Sequence, residues 1–360
     1  MTSNTDIETD YSKRSKRWKI TLVILIIALF LSVIVCLNIG YAFISFSEVF
    51  SILGSQIPGL NNFIDPNSFV GNNPQIILDI RLPRILAAVI IGGGLAASGV
   101  LYQGVFRNPM ADPYVLGVSA GASVGAGAGL LFGSGLSLLG FPIAQTSAFI
   151  AALVTIFIVY NLSRVGSRVP VMTLLLSGIA VTIFLSAIYE LMQVISTGLE
   201  LHALVGFAIG GISEVGWSAI WKITPFIIIG VVLSYMFSRD LNMISLGEDT
   251  AQHLGVNTER TKKILLALGA MMTAAAVSVS GLIGFVGLMI PHITRLIMGP
   301  DHRLLLPASV IVGAIFLVFC DALARVITGA AELPVGIITA IAGGPFFIFL
   351  LRRKKADYRM

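Results

Sequence analysis

The side chains able to do chemistry in this 360-residue chain are few and far apart. Its four histidines, His202, His253, His292 and His302, have no paired spacing, and Cys36 and Cys320 each sit inside an apolar run. Neither set has the clustering of a zinc or haem site, so no metal site is expected and the cysteines say nothing about redox compartment. Asp321 and Arg325 lie one helical turn apart and are expected to pair. Glu190 is the only other acid deep in an apolar stretch, which is thin support for a proton relay. The string from Gly117 to Gly133 contains GxG patterns, yet it lacks a preceding strand and a later ribose-binding acid. No Gly-Lys pair occurs anywhere, so the chain cannot bind ATP in the P-loop manner. No catalytic residue is expected.

The elements around these residues are membrane helices. The chain is 56% hydrophobic and only 11% charged, against about 25% charged in a soluble domain. The N-terminus is basic and then apolar, like a signal peptide. However, 18–37 is too long for an h-region and no small-residue cleavage site follows, so it reads as an uncleaved first span. With this first one taken as 18–44, spans are expected at 18–44, 82–106, 114–133, 141–162, 170–195, 217–238, 304–327 and 334–351. The stretch 264–299 would be about 54 Å long as one helix, too long for one crossing. Gly281, Gly284, Gly287 and Pro291 are expected to break it into spans at 264–281 and about 287–299. That makes ten spans with both termini on one side.

Charge orients them. With a cytoplasmic N-terminus, nineteen of the 23 lysines and arginines fall inside, and only Arg81, Arg84, Lys222 and Arg325 fall outside. The net charge of +5 therefore follows topology, and no nucleic-acid partner is expected. A faint repeat is also visible: Ser98-Gly99 precedes Pro109, and Ser280-Gly281 precedes Pro291, at the same interval. Five spans separate the copies, which would invert them as in many transporters.

Three features then stand out. The first is a polar island at 239–263, cytoplasmic by this topology, in which Ser245 and Glu248 have capping-box spacing and Gly255 can supply a left-handed stop. The short helix between them should carry Ala251 and Leu254 on one face, and an ordered helix there suggests docking of another protein. The second is the glycine row 117, 121, 125, 129 and 133, one helix face stripped of side chains for close packing. The third is the group of outer arginines, which suits either phosphate-headgroup anchoring or docking of an acidic partner.

Several long blocks are familiar. RLPRILAAVIIGGGLAASG (81–99), NPMADPYVLGVSAGASVGA (108–126), ISLGEDTAQHLGV (244–256), GLIGFVGLMIPHITRL (281–296), DHRLLLP (301–307) and ELPVGIITAIAGGPFFIFLL (332–351) occur in that order. Together they resemble the FecCD-type permease family of ABC importers for iron-siderophores, haem and vitamin B12. The resemblance implies an all-α membrane protein with ten transmembrane helices, cytoplasmic termini and the type II ABC importer permease fold. It divides the chain into a tail at 1–17, a permease domain at 18–351 with a coupling loop at 239–263, and a basic tail at 352–360.

The resemblance also implies the partners: a second permease subunit (identical or related), two cytoplasmic ABC ATPases that hold ATP and Mg, an extracytoplasmic substrate-binding protein, and membrane lipid. No cofactor is expected in this chain. By position, ATPase coupling falls to Leu246, Gly247, Glu248, Ala251, Leu254 and Gly255, and binding-protein docking to Arg81, Arg84 and Arg325. Asn108, Pro109 and Met110, with Val171 and Met172, are gate candidates or ordinary tight turns. The expected cargo is an iron chelate, either ferric siderophore or haem, with cobalamin as the alternative inside the family. An ion-coupled secondary transporter is the alternative outside it.

Overall fold

The computed structural model describes residues 4–357 apart from 41, 43, 60–61, 63–68, 134, 139, 167 and 328–332. Glu332 of the last familiar block and the end of the basic tail (358–360) lie outside the described residues. The element order is α1 (Asn4–Asn38), α2 (Phe46–Ser55) and α3 (Asn73–Gln75), which runs through a π-helical turn at Ile76–Arg81 into α4 (Leu82–Val105). A 3-10 turn at Pro113–Leu116 leads into α5 (Val118–Phe132), followed by a two-residue hairpin of β1 (Ser137–Leu138) and β2 (Phe141–Pro142). Then come α6 (Ile143–Leu162), α7 (Val171–Ile195), α8 (Gly198–Ile209) and α9 (Trp217–Met236). The chain continues with α10 (Ser238–Ser245), α11 (Glu248–His253), α12 (Thr258–Ser280), α13 (Val286–Met298), α14 (His302–Ile327) and α15 (Val335–Asp357).

This is an all-helical membrane protein. Among the described residues, seven helices are long and apolar enough to cross a membrane. Three further expected spans are occupied by shorter elements: α5, α13 and the apolar part of α15, residues 335–350. At 15 and 13 residues, α5 and α13 measure about 22 and 20 Å, short of a hydrocarbon core of about 30 Å. The irregular backbone beside them is therefore held by protein, as the absence of water in a bilayer requires. Between α12 and α13, for example, the Leu282 N–H donates to the Phe207 carbonyl at 3.0 Å, and the Tyr114 hydroxyl donates to the Ile283 carbonyl at 2.9 Å. The break falls where the glycines suggested, with α12 stopping at Gly281 in the left-handed region (φ +64°).

α4 is the central post, buried along nearly its whole length between α12, α13 and α14. It comes so close to α13 that a Cβ on Gly99 would overlap the Gly287 carbonyl oxygen. A polar rivet joins it to α12, where the Ser98 and Thr273 hydroxyls meet at 2.7 Å. These contacts dissolve the proposed repeat. Gly99 sits in mid-helix and packs α4 on α13, whereas Gly281 ends α12; Pro109 follows its helix, whereas Pro291 lies inside α13. The matching spacing carries no structural equivalence.

The glycine row of α5 faces α6. A Cβ on Gly121, Gly125 or Gly129 would overlap Thr155, the Ser147 carbonyl or the Ala144 backbone in turn. Gly117 opens α5 from a left-handed conformation (φ +80°), and Gly133 closes it against Ile143.

Candidate functional site

The functional candidates sit at opposite ends of α4. Its last turn meets α10 and α14, since a Cβ on Gly104 would press on both Leu241 and His302. Its first turn follows Arg81 and contains Arg84.

At the α10–α11 end the capping box does not form. α10 continues through Ser245, whose hydroxyl donates back to the Leu241 carbonyl at 2.8 Å, the local bond that hydroxyls make in mid-helix. The N-cap of α11 is instead Gly247 (φ +126°) with no side-chain cap. The Glu248 carboxylate turns to Lys262 Nζ at 2.5 Å. The stop does form. Gly255 is left-handed (φ +88°), its N–H donates to the Gln252 carbonyl at 2.9 Å, and the Val256 N–H donates to the Ala251 carbonyl at 3.0 Å, which is a Schellman closure. Ala251 and Leu254 do not share a face: Ala251 is fully buried, whereas Leu254 is 58% and Leu246 71% exposed. Two leucines thus stand in solvent on either side of a polar, anchored turn.

The anchors of this end were hidden in the sequence. Lys262, near the start of α12, is buried and also lies 3.2 Å from Glu259. Asn242 of α10 donates to Asp301 at 2.9 Å, while its oxygen accepts the His302 N–H and faces His302 Nδ1, both at 2.8 Å. Burial alone would raise the Asp301 carboxyl; hydrogen bonds from Arg303 and Asn242 overcome this and hold it well below the usual carboxylate range. Both gate candidates lie at this end too. Asn108 is exposed and accepts the Met110 N–H at 3.0 Å, beside the half-buried Pro109. Met172 is 70% exposed and Val171 half-buried at the start of α7. Nearby Asp112 accepts the Tyr114 N–H at 2.8 Å, and burial pushes its carboxyl up to about 6.

At the other end the arginines turn inward. Arg81, Arg84 and Arg325 are 4%, 2% and 4% exposed. Arg81 donates to the Leu37 carbonyl at 2.8 Å and to the Ala42 carbonyl. Arg325 donates to the carbonyls of Ile39 at 2.7 Å and Cys36 at 3.0 Å. These are carbonyls at and just beyond the end of α1, the negative end of a helix dipole and the natural seat for cations. Arg84 pairs with Asp321 at 2.6 Å, and Arg325 approaches the same carboxylate at 3.1 Å. The expected Asp321–Arg325 contact exists, but it is shared with an arginine 237 residues away. Docking on the guanidinium groups of Arg81, Arg84 and Arg325 requires exposed side chains, and the folded chain spends them on its own backbone and on Asp321. Lys222, the fourth cation that charge counting placed outside, donates to the Gly140 carbonyl.

Among the described residues, no three His, Cys, Asp or Glu side chains converge as a metal site. His202 and His253 are exposed, and His292 lies edge-on to the Phe346 ring at 6.1 Å between centroids. A bundle of apolar helices with a fastened polar helix at one end defines a multi-pass membrane protein.

The comparisons agree with that class. The FecCD transport family model matches residues 24–353. The chain is 44% identical over 287 residues to the cobalamin import system permease protein of Halobacterium salinarum, covering 79% of this chain and 76% of that one. It is 40% identical over 282 residues to the hemin transport system permease protein of Yersinia pestis, covering 78% and 84%. Its fold matches an ABC transporter assigned to the metal-chelate type and solved in an inward-facing conformation, with a TM-score of 0.78 at 32% identity, covering 92% of this chain and 99% of that one. The chain belongs to the FecCD transport family. It is an ABC transporter permease subunit of the cell membrane, not itself catalytic, and its class works with ATPase and binding-protein partners.

Proposed function

We propose that this chain is the permease of an importer that carries an iron chelate, ferric siderophore or haem, into the cell. In this reading the ten helical segments are ten spans of a type II permease and both termini are cytoplasmic. The permease pairs with a second copy or a close relative. Two cytoplasmic ATPases, holding ATP and Mg, dock beneath, and an external binding protein delivers the cargo. The observation that carries the reading is α11. Leu246 and Leu254 stand exposed on a segment that Lys262, Ala251 and Gly255 fix in place, and paired apolar side chains on a rigid polar helix suit a groove in a partner.

ATP-driven closure of the ATPase pair then moves the segment 246–255, and the spans rock as rigid bodies to change access. The turns at Asn108–Met110 and Val171–Met172 are the proposed inner gates. Docking of the binding protein is proposed for the opposite end; Arg81, Arg84 and Arg325 would take part only by exchanging α1 carbonyls for partner carboxylates. The ion-coupled alternative loses support, because Asp321 is sealed between two arginines and Glu190 is exposed near the end of α7. Cobalamin is the second reading, favoured by the 44% identical relative. The test is ATP-dependent uptake of labelled ferric siderophore, hemin and cobalamin by cells expressing the complete transporter. Uptake of cobalamin alone would overturn the iron-chelate reading.

A further inference from the structure

Lys262 and Glu259 join three segments that are distant in sequence. The Lys262 amine is 7% exposed and lies 2.5 Å from Glu248 of α11 and 3.2 Å from Glu259 of α12. The other oxygen of Glu259 accepts the N–H of Val169, 90 residues earlier, at 3.2 Å. Val169 closes the tight turn after α6, where Val165 and Arg168 form a β-bridge, and Val171 opens α7 two residues later. A second strut, Gln252 Nε2 to Thr258 Oγ1 at 2.9 Å, holds the far end of α11 to the same start of α12. One amine shared by two carboxylates makes a stiff joint, because the buried cation cannot leave both partners without a desolvation cost. The carboxylates are 28% and 29% exposed, so the joint can travel as a body without exposing a sealed core.

We infer that Lys262 and Glu259 are positioning residues that make α11 and Val169 move together, so that a push on α11 is delivered to the start of α7. The inference rests on the reading of α11 as the ATPase-docking helix. Proximity alone does not establish coupling, so the test reads transmission directly.

In the complete transporter carrying Met172→Cys, thiol labelling at that exposed position is compared with and without ATP and vanadate. The unaltered joint gives labelling rates that differ between the two states. Lys262→Met reduces that ratio on the order of 2- to 30-fold while the ATPase still co-purifies, and Lys262→Arg restores it. Glu259→Gln gives the same loss if Lys262→Met fails to assemble. An unchanged ratio in Lys262→Met or Glu259→Gln, or no ATP-dependent difference with the joint intact, overturns the inference. The underlying reading fails separately, if Leu246→Asp with Leu254→Asp leaves ATPase association intact.

Discussion

The two charged clusters of this permease are built on opposite terms. At the arginine end Arg84 and Arg325 share the Asp321 carboxylate, and Arg81 sits beside them on carbonyls of its own. All of these side chains are sealed, with the surplus positive charge met by carbonyls at the end of α1. At the α11 end one amine serves two carboxylates that still touch water. Desolvation separates these designs. A sealed ion cluster left without a partner costs several kcal/mol, whereas at the second cluster only the amine is buried and its two carboxylates find water when they part. The first cluster is a lock that fastens α1 to α4 and α14, and the second is a joint that can be carried.

The largest effect expected from breaking this contrast is at the lock. Asp321→Ala leaves Arg84 and Arg325 without their carboxylate and should cost about 3 to 5 kcal/mol. The measurement is thermal unfolding and monodispersity of the purified protein. Lys262→Met should cost only about 1 kcal/mol by the same assay, since its partners keep access to solvent. Equal losses for the two would erase the distinction between lock and joint. Next is the post that links the two ends. Gly99→Ala should cost about 2 to 3 kcal/mol, because the new methyl meets the Gly287 carbonyl and neither backbone has room to yield. A neutral result would mean that α4 and α13 separate easily, and the post would not be rigid.

A smaller effect is expected at the exposed leucines. Leu246→Asp with Leu254→Asp should leave the fold intact, since both side chains stand in solvent. ATPase co-purification should weaken about tenfold or more through loss of two apolar anchors. An unfolded variant with normal association of its remaining folded fraction would contradict both parts.

The sequence made the helices legible because length and hydrophobicity act locally. The break at Gly281 and the α5 face against α6 could be read for the same reason, glycine spacing being a local signal. Long-range electrostatics could not. Arg84 and Asp321 are 237 residues apart, and positive-inside counting sees an outer arginine only as a surplus charge. It likewise scores Lys262 as a surface cation, although the fold buries it between two acids. The capping-box pattern at Ser245 and Glu248 failed because both side chains had better partners, one in the preceding turn and one across the interface. A local motif is decisive only when nothing distant competes for its groups.

Asp112 gives the finest test of how this end treats charge, because here burial works against a carboxylate instead of pairing it. Its folded value of about 6 lies above the ordinary 3.8. Below about pH 4 the group is protonated in both folded and unfolded chains, and no stability is lost. As pH rises from about 4 through 6 the unfolded chain ionises freely while the folded one resists, so stability falls across that window. Asp112 is half-buried, and the solvent it still meets limits the loss to about 1 kcal/mol. Asp112→Asn keeps an oxygen to accept the Tyr114 N–H but carries no charge. Its unfolding temperature should therefore match the wild type at and below about pH 4 and exceed it by a few degrees at pH 7.5. A gap that does not change with pH would mean that Asp112 titrates as a solvated residue and that burial at this end does not press on its charge.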